Sequence, residues 1–227
     1  MTMDSPSPSA APATPLAGIR AAIAQSEKIA RRPAGSTTLI AISKTKPVEA
    51  IEELIAQGQL VFGENRVQEA QAKFPALREQ HPGLELHMVG QLQSNKADDA
   101  VALFDCIHSV DRPSLAKALA DAMDKAGRRV PCFVQVNIGE EDQKGGCAIA
   151  DLPQFLDKVH ALGLPIVGLM AVPPADVEPA PYFALLAKLA RDAGLDQLSI
   201  GMSGDFETAV RLGATHVRIG SALFGAR

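Results

Sequence analysis

The sequence predicts a (β/α)8 TIM barrel, and three observations predict it. Short β-branched and aliphatic runs alternate eight times with Ala- and Leu-rich helical stretches. The strand-like runs, such as CFVQVNI at 132–138 and PIVGLMA at 165–171, are almost continuously apolar, as expected of parallel strands covered on both faces. The 227 residues, 47% of them apolar, match the size of one such barrel and can bury a large core. The same alternation with right-handed crossovers also permits an open doubly wound sheet, the rival architecture.

Taken in order, residues 1–15 are rich in Ser, Pro and Ala, with neither a basic start nor an apolar h-region. They read as a disordered tail, not a secretory leader, and the barrel domain occupies 16–227. Leu16, Ile19, Ala22, Ile23 and Ile29 form a helical stripe over 16–32, an extra helix ahead of the first strand. Strands are predicted over 37–43, 60–63, 85–90, 106–110, 132–138, 165–171, 197–202 and 216–220. Helices are predicted to begin near Pro47, Asn65, Ser94, Pro113, Asp151, Pro179 and Gly204. Proline in a first turn costs no hydrogen bond, and an acidic residue there suits the positive helix end. With no Trp and only one tyrosine, Tyr182, the core is expected to be aliphatic.

Composition excludes several classes. A net charge of −4, with no basic run beyond Arg31-Arg32 and Arg128-Arg129, argues against a nucleic-acid partner. No apolar run approaches the roughly 20 residues that span a bilayer. Cys106, Cys132 and Cys147 are scattered and odd in number, which fits a reducing compartment and a cytoplasmic address. No GxGxxG or GxxxxGK[ST] motif is present, and Cys106 with His108 does not suffice for a metal site. His87, within a strand, reads as a satisfied core histidine.

A barrel keeps its chemistry at the C-terminal ends of its strands. Lys44 follows TTLIAIS there, with an apolar stem beneath it. Burying an ammonium disfavours its charged form, and a neutral amine attacks an aldehyde to give an imine. A surface lysine capping a strand is the plainer alternative, and Lys46, two residues on, is the confounder. Ser203-Gly204 and Gly220-Ser221 precede helical turns after strands seven and eight, where barrels commonly bind phosphate; ordinary N-capping by the two serines is the alternative. Arg218 shares a strand face with His216 and Gly220, and a buried arginine there needs a carboxylate, a carbonyl or a ligand acceptor.

AISKTKP (41–47), FGENRVQEA (62–70), LHMVGQLQSNK (86–96), SVDR (109–112), QVNIGEEDQKGG (135–146), GLMAVPP (168–174), SIGMSGDFETAV (199–210) and VRIGSALFGAR (217–227) together resemble the pyridoxal phosphate homeostasis protein family, single-domain relatives of the alanine racemase N-terminal barrel. The likeness runs over residues 16–227. It implies that Lys44 holds pyridoxal 5'-phosphate as a Schiff base. It also implies that Ser203, Gly204, Gly220 and Ser221 hold the phosphate, that Arg218 lies near the pyridine nitrogen, and that Asn65 lies close to the cofactor. Family members often carry Tyr at the position of Arg66, and Asp, Asn or Ala at that of Gly204. The resemblance implies a non-catalytic, cytoplasmic carrier acting in vitamin B6 homeostasis, a monomer whose partners are the cofactor and apo enzymes that use it. A PLP-dependent amino-acid racemase or lyase of low activity is the alternative, and a cofactor-free phosphosugar isomerase using an acid such as Glu64 is a third reading.

Overall fold

The structure, a computed structural model, describes residues 14–225. Eight parallel strands close in sequence order into a barrel: β1 (Thr38–Ile42), β2 (Val61–Glu64), β3 (Glu85–Met88), β4 (Cys106–Val110), β5 (Cys132–Gln135), β6 (Ile166–Met170), β7 (Gln197–Ser199) and β8 (His216–Ile219). Closure comes from β1 pairing with both β2 and β8. The intervening helices are α2 (Val48–Ala56), α3 (Val67–Gln80), α4 (Ala97–Leu103), α5 (Pro113–Ala126), α6 (Leu152–Ala161), α7 (Ala180–Asp192) and α8 (Phe206–Arg211), with a 3-10 turn at Ser94–Lys96 and a last helical turn, α9 (Ser221–Phe224). The barrel is thus the expected one, and the open sheet is excluded by closure.

The extra helix α1 (Pro15–Ile29) starts at the Pro15 ring, where Thr14 Oγ1 accepts a hydrogen bond from the Ala17 N–H. Residues 1–13 of the tail expected over 1–15 lie outside the described residues; Thr14 and Pro15 belong to the start of the helix. The helix stops three residues before the expected Arg32 because Arg31 turns left-handed at φ 55° and Pro33 follows. Arg32 then donates to the Val210 and Ala214 carbonyls, and Arg20 to the Gln57 and Gly58 carbonyls. These contacts fasten α1 to the loops entering β2 and β8, at the end of the barrel away from the mouth.

β5 and β7 each end three residues sooner than expected. β5 stops at Gln135 because the chain doubles back: Val136 bridges to Cys147, and the Asn137 N–H donates to the Cys147 carbonyl. β7 stops at Ser199 because Gly201 takes φ 93°, where an added Cβ would lie 2.6 Å from the Ala209 methyl.

Alternation along each strand sorts the interior into two layers. Leu39, Ala41, Phe62, Leu86, Ile107, Val134, Leu169, Leu198, Val217 and Ile219 pack outward beneath the helices in one continuous apolar shell. Each Val, Leu, Ile or Phe side chain among them contributes about 1.5–3 kcal/mol when fully buried. The lumen is different. It holds Ile40 and Ile42 against Gly63, then Cys106, Phe133 and Met170, and beside them His87, His108, His216, Ser199 and Arg218. The wholly aliphatic core expected from composition is not what forms: the shell adds Phe62, Phe74, Phe104 and Phe183 to its aliphatic residues, and the lumen is partly polar. Among the described residues, no helix is long and apolar enough to cross a membrane.

Candidate functional site at the barrel mouth

The alternation that turns Ile40 and Ile42 into the lumen carries Lys44 to the mouth. Lys44 sits in a β-turn closed by the Lys46 N–H donating to the Ser43 carbonyl. It faces a cavity of about 540 Å3. All seven residues singled out from the sequence line that cavity: Lys44 from the β1 turn, Asn65 after β2, Ser203 and Gly204 after β7, and Arg218, Gly220 and Ser221 from β8 and α9. Ile42, Val89, Val172 and Met202 supply apolar wall that the sequence reading did not select; they follow different strands and meet only on closure.

Its two amines differ. Lys46 donates to the Phe224 and Gly225 carbonyls at 3.2 and 3.3 Å and sits 6.0 Å from the centre of the Phe224 ring. Lys44 makes no side-chain hydrogen bond or ion pair among the described residues. The lysine expected to be the looser one is tethered, and its neighbour makes no such contact.

The turns after β7 and β8 meet. Ser203 does not cap α8, whose cap position is Asp205; its Oγ instead accepts from the Ala222 N–H of α9 at 3.4 Å. Gly204 has open space where a Cβ would stand, so the protein's own packing does not demand glycine there, and that space adjoins the cavity. Asn65 is held through its backbone: a Cβ at Gly90 would come within 2.4 Å of the Asn65 carbonyl oxygen. Arg66 is exposed at the cap of α3.

Arg218 is buried and, among the described residues, no carboxylate pairs with it. Its Nη1 donates to the Ser199 carbonyl and to Ser199 Oγ, both at 2.6 Å, and its Nη2 donates to the Ala171 carbonyl at 2.9 Å. Burial pushes its pKa down to about 10, which still leaves it cationic at neutral pH. Of the acceptors expected for it, carbonyls are the ones supplied. Because a guanidinium only donates, Ser199 Oγ accepts from it and turns its own hydrogen to His108 Nδ1, 2.8 Å away. His108 then carries its proton on Nε2 and donates to His87 Nδ1 at 3.0 Å. One obligate donor at the floor of the cavity thus orients a polar chain running down the lumen. Burial, reinforced by the neighbouring histidines and Arg218, holds His108 well below the usual histidine range, so this neutral tautomer persists at pH 7.

His87, Cys106 and His108 come within 4.8 Å of one another through the β3–β4 register. His87 is the satisfied core histidine expected, since it and His108 are each other's hydrogen-bond partners. All three cysteines are buried and free, and burial pushes the Cys132 and Cys147 thiols up to about 12, which leaves them unreactive. Glu64 does not line the cavity: period two turns it outward with Phe62, beneath α3, where it pairs with Lys73. The isomerase reading therefore loses its acid. Tyr182 lies on α7, packed against the shell.

The alanine racemase N-terminal domain model matches residues 18–227. The pyridoxal phosphate homeostasis protein of Pseudomonas aeruginosa is 40% identical over 93% of this chain and 94% of its own length. That of Deinococcus radiodurans is 42% identical, over 92% and 97%. Among solved structures, PipY of Synechococcus elongatus with PLP bound is 40% identical, with a TM-score of 0.77 over 89% of this chain and all of that one.

Proposed function

The chain belongs to the alanine racemase N-terminal domain family and, within it, to the pyridoxal phosphate homeostasis proteins; on that premise we propose that it holds pyridoxal 5'-phosphate as a Schiff base on Lys44 and serves vitamin B6 homeostasis without turnover. The observation that carries the reading is the pairing of an unengaged amine with an anion-compatible rim in one cavity. Lys44 stands on one wall, and the joined Ser203–Gly204 and Gly220–Ser221 turns stand on another. In this reading the two turns hold the phosphate, Arg218 faces the ring nitrogen, and Asn65 borders the ring.

Bound pyridoxal phosphate supplies an exchangeable aldehyde and an electron-withdrawing ring. Arg218, cationic and already donating, disfavours a proton on the ring nitrogen and so weakens the ring as an electron sink. Racemisation of an amino acid also needs a base on each face of the substrate. Among the described residues, the ionisable groups lining the cavity are Lys44, Lys46 and Arg218, and Lys46 is tethered to two carbonyls. That favours storage and delivery over racemase or lyase activity. The same reading makes the chain a cytoplasmic monomer that passes cofactor to apo enzymes, with its three unpaired thiols suiting a reducing compartment.

Two measurements test it together. Titration with pyridoxal phosphate gives a yellow protein with an imine absorption band, abolished in Lys44→Ala. Amino acids carrying α-deuterium keep their label in its presence. Rapid loss of the label makes the protein an enzyme, and an unchanged band in Lys44→Ala removes Lys44 from the chemistry.

A further inference from the structure

We propose that Lys73 is a positioning residue for Lys44, acting from outside the cavity by locking the turn that carries it; this rests on the reading above. Lys73 lies on α3, 9% exposed, and four acceptors lie within hydrogen-bond distance of its ammonium, sharing its three hydrogens. Two are carboxylates: Glu64 Oε1 at 2.7 Å and Glu69 Oε1 at 2.8 Å. The other two are the backbone carbonyls of Ser43 at 3.0 Å and Lys46 at 3.3 Å, which bracket the turn. The carboxylates grip the same turn. Glu64 Oε1 accepts from Ser43 Oγ at 2.8 Å, and Glu69 Oε1 accepts from the Thr45 N–H at 2.5 Å. Ser43, Thr45 and Lys46 are therefore all tied to one ammonium or its partners, and Lys44 is the one residue of the turn left outside the ties.

The turn requires such a grip. Thr45 has φ 61°, a conformation that glycine adopts freely and a β-branched residue adopts at a cost. Such strain persists only where the surroundings over-determine it. The grip itself is poorly explained by stability. Glu64 is fully buried, and its second oxygen, Oε2, has no hydrogen-bond partner. Apolar residues of similar volume fill such a site at least as favourably as a buried ion pair. A charged pair does what an apolar pair cannot: it directs hydrogen bonds at chosen backbone atoms. Neither Glu64, Glu69 nor Lys73 lines the cavity, so their influence on a ligand passes through the turn.

The test separates seating of a ligand from capture by the amine. Pyridoxal 5'-phosphate carries the aldehyde; pyridoxine 5'-phosphate has the same ring and phosphate but an alcohol in its place. Lys73→Met alone strands a buried carboxylate, so it is paired with Glu64→Gln/Lys73→Met, which leaves no buried charge and keeps the fold. In the double variant, pyridoxine phosphate binds as in the wild type, whereas the apparent affinity for pyridoxal phosphate, read from the imine band, falls about tenfold or more. Glu69→Ala, which deletes the Thr45 tether and one of the two carboxylate partners of Lys73, gives a smaller loss of about threefold in the same assay. Equal weakening of both ligands makes Lys73 merely structural, and unchanged capture of the aldehyde makes it irrelevant; either overturns the proposal. A wild type that forms no imine overturns this proposal and the reading of Lys44 together, whereas a wild type that forms it alongside an unaffected double variant overturns only the role of Lys73.

Discussion

The barrel has two interiors built on opposite principles. The shell between strands and helices is apolar, continuous and non-directional: Leu39, Phe62, Leu86, Val217 and Phe183 exclude water whatever their neighbours' orientation. The lumen is narrow and directional, with Arg218, Ser199, His108 and His87 joined in a chain whose direction of donation is fixed by the guanidinium. The difference teaches where function is held. A shell of apolar contacts specifies the fold with tolerance for volume-conserving change. A lumen of buried polar groups tolerates little, because each deleted partner strands another.

That contrast can be broken from either side. The largest effect is expected in the shell. Phe183→Ala, at a site 1% exposed on the buried face of α7, should cost about 3–5 kcal/mol in denaturant unfolding. The folded fraction should nevertheless bind pyridoxal phosphate as the wild type does; a large loss of affinity would mean that shell and site are not separable.

The lumen should announce itself through pH. Burial, then His87 and Arg218, depress His216 to about 4. The unfolded chain takes up that proton near pH 6.5, and the folded lumen refuses it until about pH 4. Stability is therefore present above pH 6.5 and is lost as pH falls between these values, by up to about 3 kcal/mol for this one group. Comparing the wild type with His216→Gln over pH 7 to 4 isolates the effect: the variant should lose less stability on acidification. Parallel curves would show that His216 is not held neutral.

Ser199→Ala removes the hydroxyl joining Arg218 to His108 and should cost about 1–3 kcal/mol of stability. It should also shift the absorption of bound cofactor, because Arg218 loses one of its fixing acceptors. A stability loss with an unchanged spectrum would confine Ser199 to packing. At the rim, Ser203→Asp places a negative charge beside the joined turns and should weaken pyridoxal phosphate retention about tenfold while leaving the melting temperature close to wild type. Equal affinity in a titration would take Ser203 out of the site.

The shell and the topology were legible in the sequence because their signals are local. β-branched runs, prolines at helix starts and eightfold alternation each lie within one short window. Lys44 was legible for the same reason: it is the next inward position after Ile40 and Ile42. The lumen was not, because its bonds cross strands far apart in sequence, His108 reaching Ser199 over 91 positions. Nothing in a single strand reveals which side chain will stand opposite. Glu64 was misjudged because it follows a strand toward the mouth yet takes the outward phase. Lys73 was missed because a lysine in a helix ordinarily reads as solvated. Ser203 looked like a cap for the helix that follows it, but folding brings α9 closer.

The most direct test of the central claim is borohydride reduction of the cofactor-loaded protein, followed by proteolysis and peptide mass mapping. A single pyridoxyl adduct on Lys44 is the result predicted. An adduct on Lys46, spread over several lysines, or absent altogether would contradict it.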